Sequence, residues 1–153
     1  MDNYSFHCRS VLLPEIADVE RAVKGKIYPA QTIYIQVSAC RKSGKEQWHI
    51  SKEAGEIEGK FAVLVPRTDF DPYYLRIALE RSAPEFMHKY VGTNINIQMD
   101  AFQRYEFDYH EDKQTQKLIA AFAKKADRGI ESEKKTIDTL RELKRYMLGK
   151  MMC

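Results

Sequence analysis

From Gln114 to Lys150 the sequence keeps a single period. Ile119, Ala123, Ala126, Ile130, Glu133, Ile137, Leu140, Lys144 and Met147 recur in alternating steps of four and three, a heptad seam over about four repeats. Phe122, Leu143 and Leu148 widen the stripe, Glu133 and Lys144 interrupt it, and Gly129 weakens the helix near its middle by about 1 kcal/mol relative to alanine. Such a run predicts a helix roughly 55 Å long at about 1.5 Å per residue. That exceeds the width of a domain built from the preceding 110 or so residues, so much of the stripe needs a partner outside them. Residues 111–153 are therefore expected to be a dimerisation or spacer helix. Its interface would be Ile119, Phe122, Ala126, Ile130, Ile137, Leu140, Leu143 and Met147.

Charge follows the same division. From Glu111 onward eleven Lys or Arg face seven Asp or Glu, whereas residues 1–110 carry fourteen against fifteen, so the positive field sits on the helix. No apolar run approaches the roughly 18–20 residues of a membrane span, and "MDNYSFHCRS" lacks the features of a signal peptide. Cys8, Cys40 and Cys153 are odd in number and far apart, which argues against a disulfide framework. A cytoplasmic protein is expected.

Residues 1–110 read as a compact α+β domain with a small mixed sheet and short helices. "PEIADVERAVK" (14–24) has Ile16, Val19 and Val23 at helical spacing, with Pro14 at its start and Gly25 at its end. "QTIYIQVSAC" alternates as a half-buried strand, and "KFAVLVP" is an apolar strand closed by Pro66. Asp71 before Pro72 is an N-cap and first helical position, and "SAPE" (82–85) has capping-box spacing for a second short helix ended by Gly92. "TNINIQM" and "RYEFDYH" alternate and are strand candidates.

Catalytic motifs are weak. Gly44-Lys45 lacks the upstream glycine and the following Ser or Thr of a phosphate loop, because positions 39 and 46 are Ala and Glu. The Glu-x-Lys patterns at Glu111, Glu133 and Glu142 fall on or beside the long helix, where that spacing arises by chance. His7, Cys8, Cys40 and His49 lack short paired metal-ligand spacing. Asp69 and Asp71 resemble an acid–base pair, but Asp71 is explained as a cap. No cofactor is implied, and an independent enzyme is not expected.

The segment most suggestive of recognition is "RKSGKEQWHISK". Arg41, Lys42, Lys45 and Lys52 suit phosphate contacts and Gln47 suits a base edge, while alternation turns Trp48 and Ile50 inward and Gln47 and His49 outward. The plain alternative is a core tryptophan among solvated lysines. With Arg67, the candidate DNA-facing set is Arg41, Lys42, Lys45, Gln47, His49, Lys52 and Arg67.

The tail "QKLIAAFAKKADRGIESEKKTIDTLRELKRYMLGKMMC" resembles the helix that follows each target-recognition domain in the specificity subunits of Type I restriction–modification systems. Gln116, Ile119, Phe122, Ala126 with Asp127, Ile130, Leu140, Leu143 with Lys144, Leu148 and Met151 fall in the family's order. "LLPEIADVERAVKGKIYP", "QTIYIQVSA", "KFAVLVPR", "DPYYLRIAL" and "PEFMHKYVGTNINIQMDAFQRYEFDY" are similar in order and spacing to the recognition domain, so the resemblance covers nearly the whole chain. It departs in having one recognition domain and one helix, in a short domain, and in lacking the proline common before the helix.

The resemblance implies a non-catalytic subunit or half-subunit that binds double-stranded DNA and directs a separate methyltransferase and nuclease. It also implies antiparallel pairing of such helices in a coiled coil, which a homodimer would reproduce with Met151, Met152 and Cys153 buried beside the partner. The competing expectation is an assembly or interference protein that binds methyltransferase or specificity subunits without reading DNA.

Overall fold

In a computed structural model, the structure describes residues 8–38, 48–92 and 94–151. In chain order the elements are β1 (Cys8–Leu12), α1 (Leu13–Ile16), β2 (Ala17–Arg21), β3 (Ile27–Tyr28), β4 (Ile33–Gln36), β5 (Trp48–Ile50), β6 (Gly55–Glu56), β7 (Phe61–Pro66), α2 (Pro72–Phe86), a π-helical turn (Met87–Val91), a 3-10 helix (Met99–Arg104), β8 (Glu106–His110) and α3 (Lys113–Met151). The strands form three sheets, in the orders β1-β8, β2-β7-β4-β5 and β3-β6. Every pairing among the described residues is antiparallel, not the mixed sheet expected from the sequence. The chain divides into two compact units, residues 1–117 and 118–153.

The four-stranded sheet organises the first unit because its middle strands carry apolar side chains on both faces. On one face Ile35 lies between Ala62 and Trp48, all fully buried. Leu75, Leu79, Ala83 and Phe86 of α2 are buried in the same unit, as are Phe102 and Tyr105. The Trp48 ring meets Phe102 and Tyr105 edge-on at 6.0 and 5.9 Å, and Phe86 lies 4.1 Å from Tyr105 between ring centroids. A smaller cluster of Ala22, Tyr28, Ile57 and Val63 has Tyr34 and Phe61 packed against it.

Three expectations are corrected. Residues 14–24 are not one helix: α1 stops at Ile16 and β2 begins at Ala17. Ala-Asp-Val-Glu-Arg satisfies a period of two as well as of 3.6, and pairing of Val19 opposite Leu64 on the apolar strand β7 decides between them. "SAPE" opens no second helix, because α2 runs unbroken through Pro84 and passes into the π-helical turn. Ser82 does not cap; its hydroxyl donates to the Leu79 carbonyl at 3.1 Å and to the Tyr105 hydroxyl at 3.2 Å. Residues 94–98 of "TNINIQM" are not a strand either: Ile97 is buried, but its N–H goes to the Val37 carbonyl at 2.9 Å, and the 3-10 helix starts at Met99; Thr93 lies outside the described residues.

Other expectations hold. Asp71 caps α2, accepting from the N–H groups of Tyr73 and Tyr74 at 2.9 and 3.0 Å, with Pro72 at the first position. Gly92, at φ +58°, closes the helical stretch with its N–H on the Met87 carbonyl. In β8, Phe107 and Tyr109 are buried and alternate with exposed Glu106 and Asp108.

The start of α3 is fixed by polar groups. Asp112 accepts from the N–H and the hydroxyl of Thr115 at 2.8 and 2.6 Å, and fully buried Gln116 donates to the His110 carbonyl at 2.6 Å. The Thr115 hydroxyl and then its N–H hold the Asp112 carboxyl below its ordinary 3.8. The stabilisation from this cap is therefore complete above pH 3.8 and is lost as the pH falls through the lower folded value. The His110 N–H donates to the Tyr74 hydroxyl at 2.7 Å, binding the strand before α3 to α2.

Two outcomes follow from the buried tyrosines. The Tyr105 hydroxyl donates to the Leu79 carbonyl at 2.8 Å and accepts from the Trp48 indole at 3.3 Å. Tyr105→Phe leaves that indole without its partner and should cost about 1–3 kcal/mol, read as a lower midpoint in urea. Burial pushes the Tyr74 and Tyr105 phenols up to about 12 from 10.0. Their contribution to stability is full below pH 10.0 and is lost as the pH rises through about 12, so ultraviolet titration should find two tyrosines that ionise only there, together with alkaline unfolding.

Candidate nucleic-acid interface

The candidate basic loop leaves the sheet at the end of β4 and returns at β5, and its root is held from three sides. The N–H groups of Val37 and Ser38 both donate to the Lys60 carbonyl, at 2.9 and 3.1 Å. Arg21, at the end of β2, donates through Nε to the Gly59 carbonyl at 3.0 Å and bonds the Ser38 hydroxyl through its other guanidinium nitrogen. The Val37 carbonyl in turn accepts the Ile97 N–H. The backbone from which residues 39–47 depart is thus fixed by the sheet's own register. Arg41, Lys42, Lys45 and Gln47 themselves lie outside the described residues, as does Cys40.

Beyond the root, the strand pattern decides which side chains face outward. Trp48 is buried, and His49, opposite Tyr34, lies on the other face, half-buried. The His49 and Tyr34 rings stack at 5.3 Å and 29°, Phe61 meets Tyr34 edge-on at 5.3 Å, and the Lys60 ammonium lies 5.4 Å from the Phe61 ring. The result is an aromatic row, His49–Tyr34–Phe61, bordered by Lys60, whose ammonium is paired with Glu58 at 2.8 Å. Rings of this kind offer flat apolar contact and cations offer phosphate contact.

The candidate residues are not gathered at one point. β4 and β7 run antiparallel with Gln36 opposite Phe61, so Arg67, one residue past Pro66, lies at the far end of the sheet from the loop root. That is about 20 Å away at strand rise. Lys52 lies toward the same far end, because Ile50 pairs with Ile33 at the start of β4. Arg67 is also committed: its guanidinium forks onto Asp18, with Nε 2.7 Å from Oδ2, and donates to the Pro14 carbonyl at 3.0 Å. This hydrogen bonding with Arg67 holds the Asp18 carboxyl below the usual range and Arg67 above its own.

Arg21 and Lys60 are two root cations that the sequence reading did not single out. Arg21 was hidden in a stretch assigned to a helix. Lys60 directly follows Gly59 and precedes an apolar strand, the position where a turn delivers a side chain to a sheet edge, and that was the available signal.

The second unit presents a different surface. Along α3, Phe122, Ile130, Ile137, Leu140, Leu143 and Met147 are all exposed, Phe122 at 76% and Leu140 at 58%, while Ile119 is half-buried and Ala126 exposed. The ion pairs Lys135–Glu131 and Arg141–Asp138 are exposed, and such pairs add at most a few tenths of a kcal/mol each. Among the described residues, no group of three or more His, Cys, Asp or Glu is placed to hold a metal, and no helix is long and apolar enough to cross a membrane.

No protein-family model matches the sequence, and no curated protein does. Solved structures do match in fold. One is a Type I restriction–modification system S subunit from M. genitalium, at TM-score 0.68 and 16% identity over 86% of this chain and 42% of that one. A second comes from a study of complex assembly and conformational transition of the type I R-M system, at TM-score 0.67 and 16% identity over 90% of this chain and 43% of that one. A third is the HsdS subunit from Thermoanaerobacter tengcongensis, at TM-score 0.57 and 15% identity over 82% and 38% of the two chains. The chain thus spans about two fifths of the length of the solved chains it matches, and its fold is that of Type I restriction–modification S subunits.

Proposed function

We propose that the chain is a sequence-specific DNA-recognition subunit, or half-subunit, of a Type I restriction–modification system, non-catalytic and serving a separate methyltransferase and nuclease. The observation that carries this reading is the pairing, within an S-subunit fold, of a braced loop root on the first unit with an unpartnered apolar stripe on α3. Residues 1–110 act as the recognition domain and residues 111–153 as the dimerisation helix. In this reading Arg41, Lys42 and Lys45 bind phosphates, and Gln47 and His49 approach bases. Lys52, four residues beyond Trp48 and so about 13 Å along the sheet, meets the backbone about four base pairs away at roughly 3.4 Å per pair, and Arg67 reaches a phosphate only by giving up its pair with Asp18.

The α3 stripe pairs with the same stripe of a second copy, and the resulting two-fold axis relates two recognition domains that read a two-part site. The methyltransferase docks against the paired helices. The near-neutral first unit favours a second reading, an assembly or interference protein that binds methyltransferase or S subunits and leaves DNA unread. Duplex shift assays with and without a methyltransferase partner separate the two.

Two variants test the two halves of the proposal. Lys42→Glu with Lys45→Glu should abolish duplex shift at physiological salt while leaving the thermal midpoint in place; unchanged binding removes the loop from the interface. Leu140→Glu with Ile137→Glu places four carboxylates in a dimer seam, and desolvating them should weaken self-association by roughly 100-fold or more. Sedimentation should then show a monomer where the unaltered chain is a dimer; an unaltered chain that stays monomeric at high concentration overturns the homodimer.

A further inference from the structure

The segment rejected as a strand, "TNINIQ", lies beside the loop root with a chemistry the basic loop largely lacks. Its anchor is Ile97, buried to 3% exposure, whose N–H is bonded to the Val37 carbonyl at 2.9 Å. The same Val37 opens the stretch from which the basic loop departs, so the two segments share one point of the fold. Around the anchor, Asn94, Asn96 and Gln98 are exposed. Gln98 stands at the cap position of the 3-10 helix, yet its side chain makes no capping hydrogen bond; its carbonyl accepts from the Ala101 N–H at 3.0 Å.

Cations flank this amide segment on both sides in sequence and converge on one ring. Lys89 Nζ lies 5.3 Å and the Arg104 guanidinium carbon 5.6 Å from the Tyr90 ring centroid. Arg104 also forms an exposed pair with Asp100 at 3.5 Å. An exposed pair of that kind is worth little and exchanges readily for a phosphate. Exposed carboxamides with cations on either side in sequence suit one ligand above others. An Asn or Gln amide donates and accepts at once, which matches the N7 acceptor and N6 donor of adenine in the major groove.

We infer that residues 94–98 form a second base-reading element, with Asn94, Asn96 and Gln98 specifying adenine in a duplex whose phosphates contact Lys89 and Arg104. This rests on the DNA-recognition reading above and adds to it a specificity-determining segment and the base that segment prefers.

The test uses the full-length chain and a randomised duplex pool. The unaltered protein should enrich a motif containing an adenine whose replacement lowers affinity by roughly 5- to 100-fold. The Asn94→Ala, Asn96→Ala, Gln98→Ala variant should lose that discrimination while keeping its affinity for random duplex within about threefold, since phosphates supply most of that affinity. Gln98→Glu, a near-isosteric change on an exposed side chain, should shift preference at one position from adenine toward cytosine, an outcome that a merely structural role would not produce. Lys89→Ala with Arg104→Ala should weaken binding to all sequences alike and flatten the salt dependence. If the unaltered chain enriches a motif and the triple variant enriches the same motif with equal discrimination, this inference is overturned and the basic loop remains the reader. If the unaltered chain binds no duplex or enriches no motif, the DNA-recognition reading itself falls, and this one with it.

Discussion

A fully buried phenol must find hydrogen-bond partners inside the protein or lose the solvation it gave up, and Tyr105 meets that demand by joining three elements at one oxygen. Its hydroxyl reaches the Leu79 carbonyl and the Ser82 hydroxyl on α2 and the Trp48 indole on β5. Because the indole has one donor in a fixed direction, this contact orients the first residue of the returning strand. That orientation sends His49 to the opposite face and sets the closing end of the candidate loop. Tyr105 also lies one residue before β8, whose far end leads into α3, so the same junction ties the root of the candidate loop to the strand that precedes the helix.

The parts of the fold legible in the sequence were those with one dominant period. The long helix, the strands around Ile35 and Val63, the strand ending at His110 and the Asp71 cap were readable because local pattern and tertiary packing agree there. Where they disagree, the pattern misled. Val19 fits a helical stripe as well as a strand, and only the apolar edge of β7, 45 residues along the chain at Leu64, resolves it. Ile95, Ile97 and Met99 alternate like a strand, yet Ile95 is exposed while Ile97 is buried and bonded to Val37, and no strand ladder forms there among the described residues. "SAPE" has the spacing of a helix start and instead lies inside α2, Pro84 included. The candidate site was legible as chemistry and less so as geometry: the cations of "RKSGK" stood out, whereas the separation of Lys52 and Arg67 from the loop root depends on strand direction.

Charge totals are a poor guide to this surface. Residues 1–110 are nearly neutral, yet Arg21 and Lys60 stand at the loop root and Lys89 and Arg104 converge on Tyr90. Carboxylates accompany several of these cations, Glu58 at 2.8 Å from Lys60 and Asp100 at 3.5 Å from Arg104, as Asp18 accompanies Arg67. At physiological ionic strength, fields beyond about 8 Å are screened, so such local arrangements outweigh the sum.

The bare stripe of α3 also bears on how long each molecule survives. Beyond Ala123 every described residue of the helix is exposed, its surface pairs are marginal and Gly129 weakens it, so single turns open readily in a solitary copy. Opened turns are what proteases cut, and clasping the stripe closes them. Under the proposed pairing, copies made in excess of their companions would therefore be trimmed, and the supply of companion chains would set the abundance of intact protein.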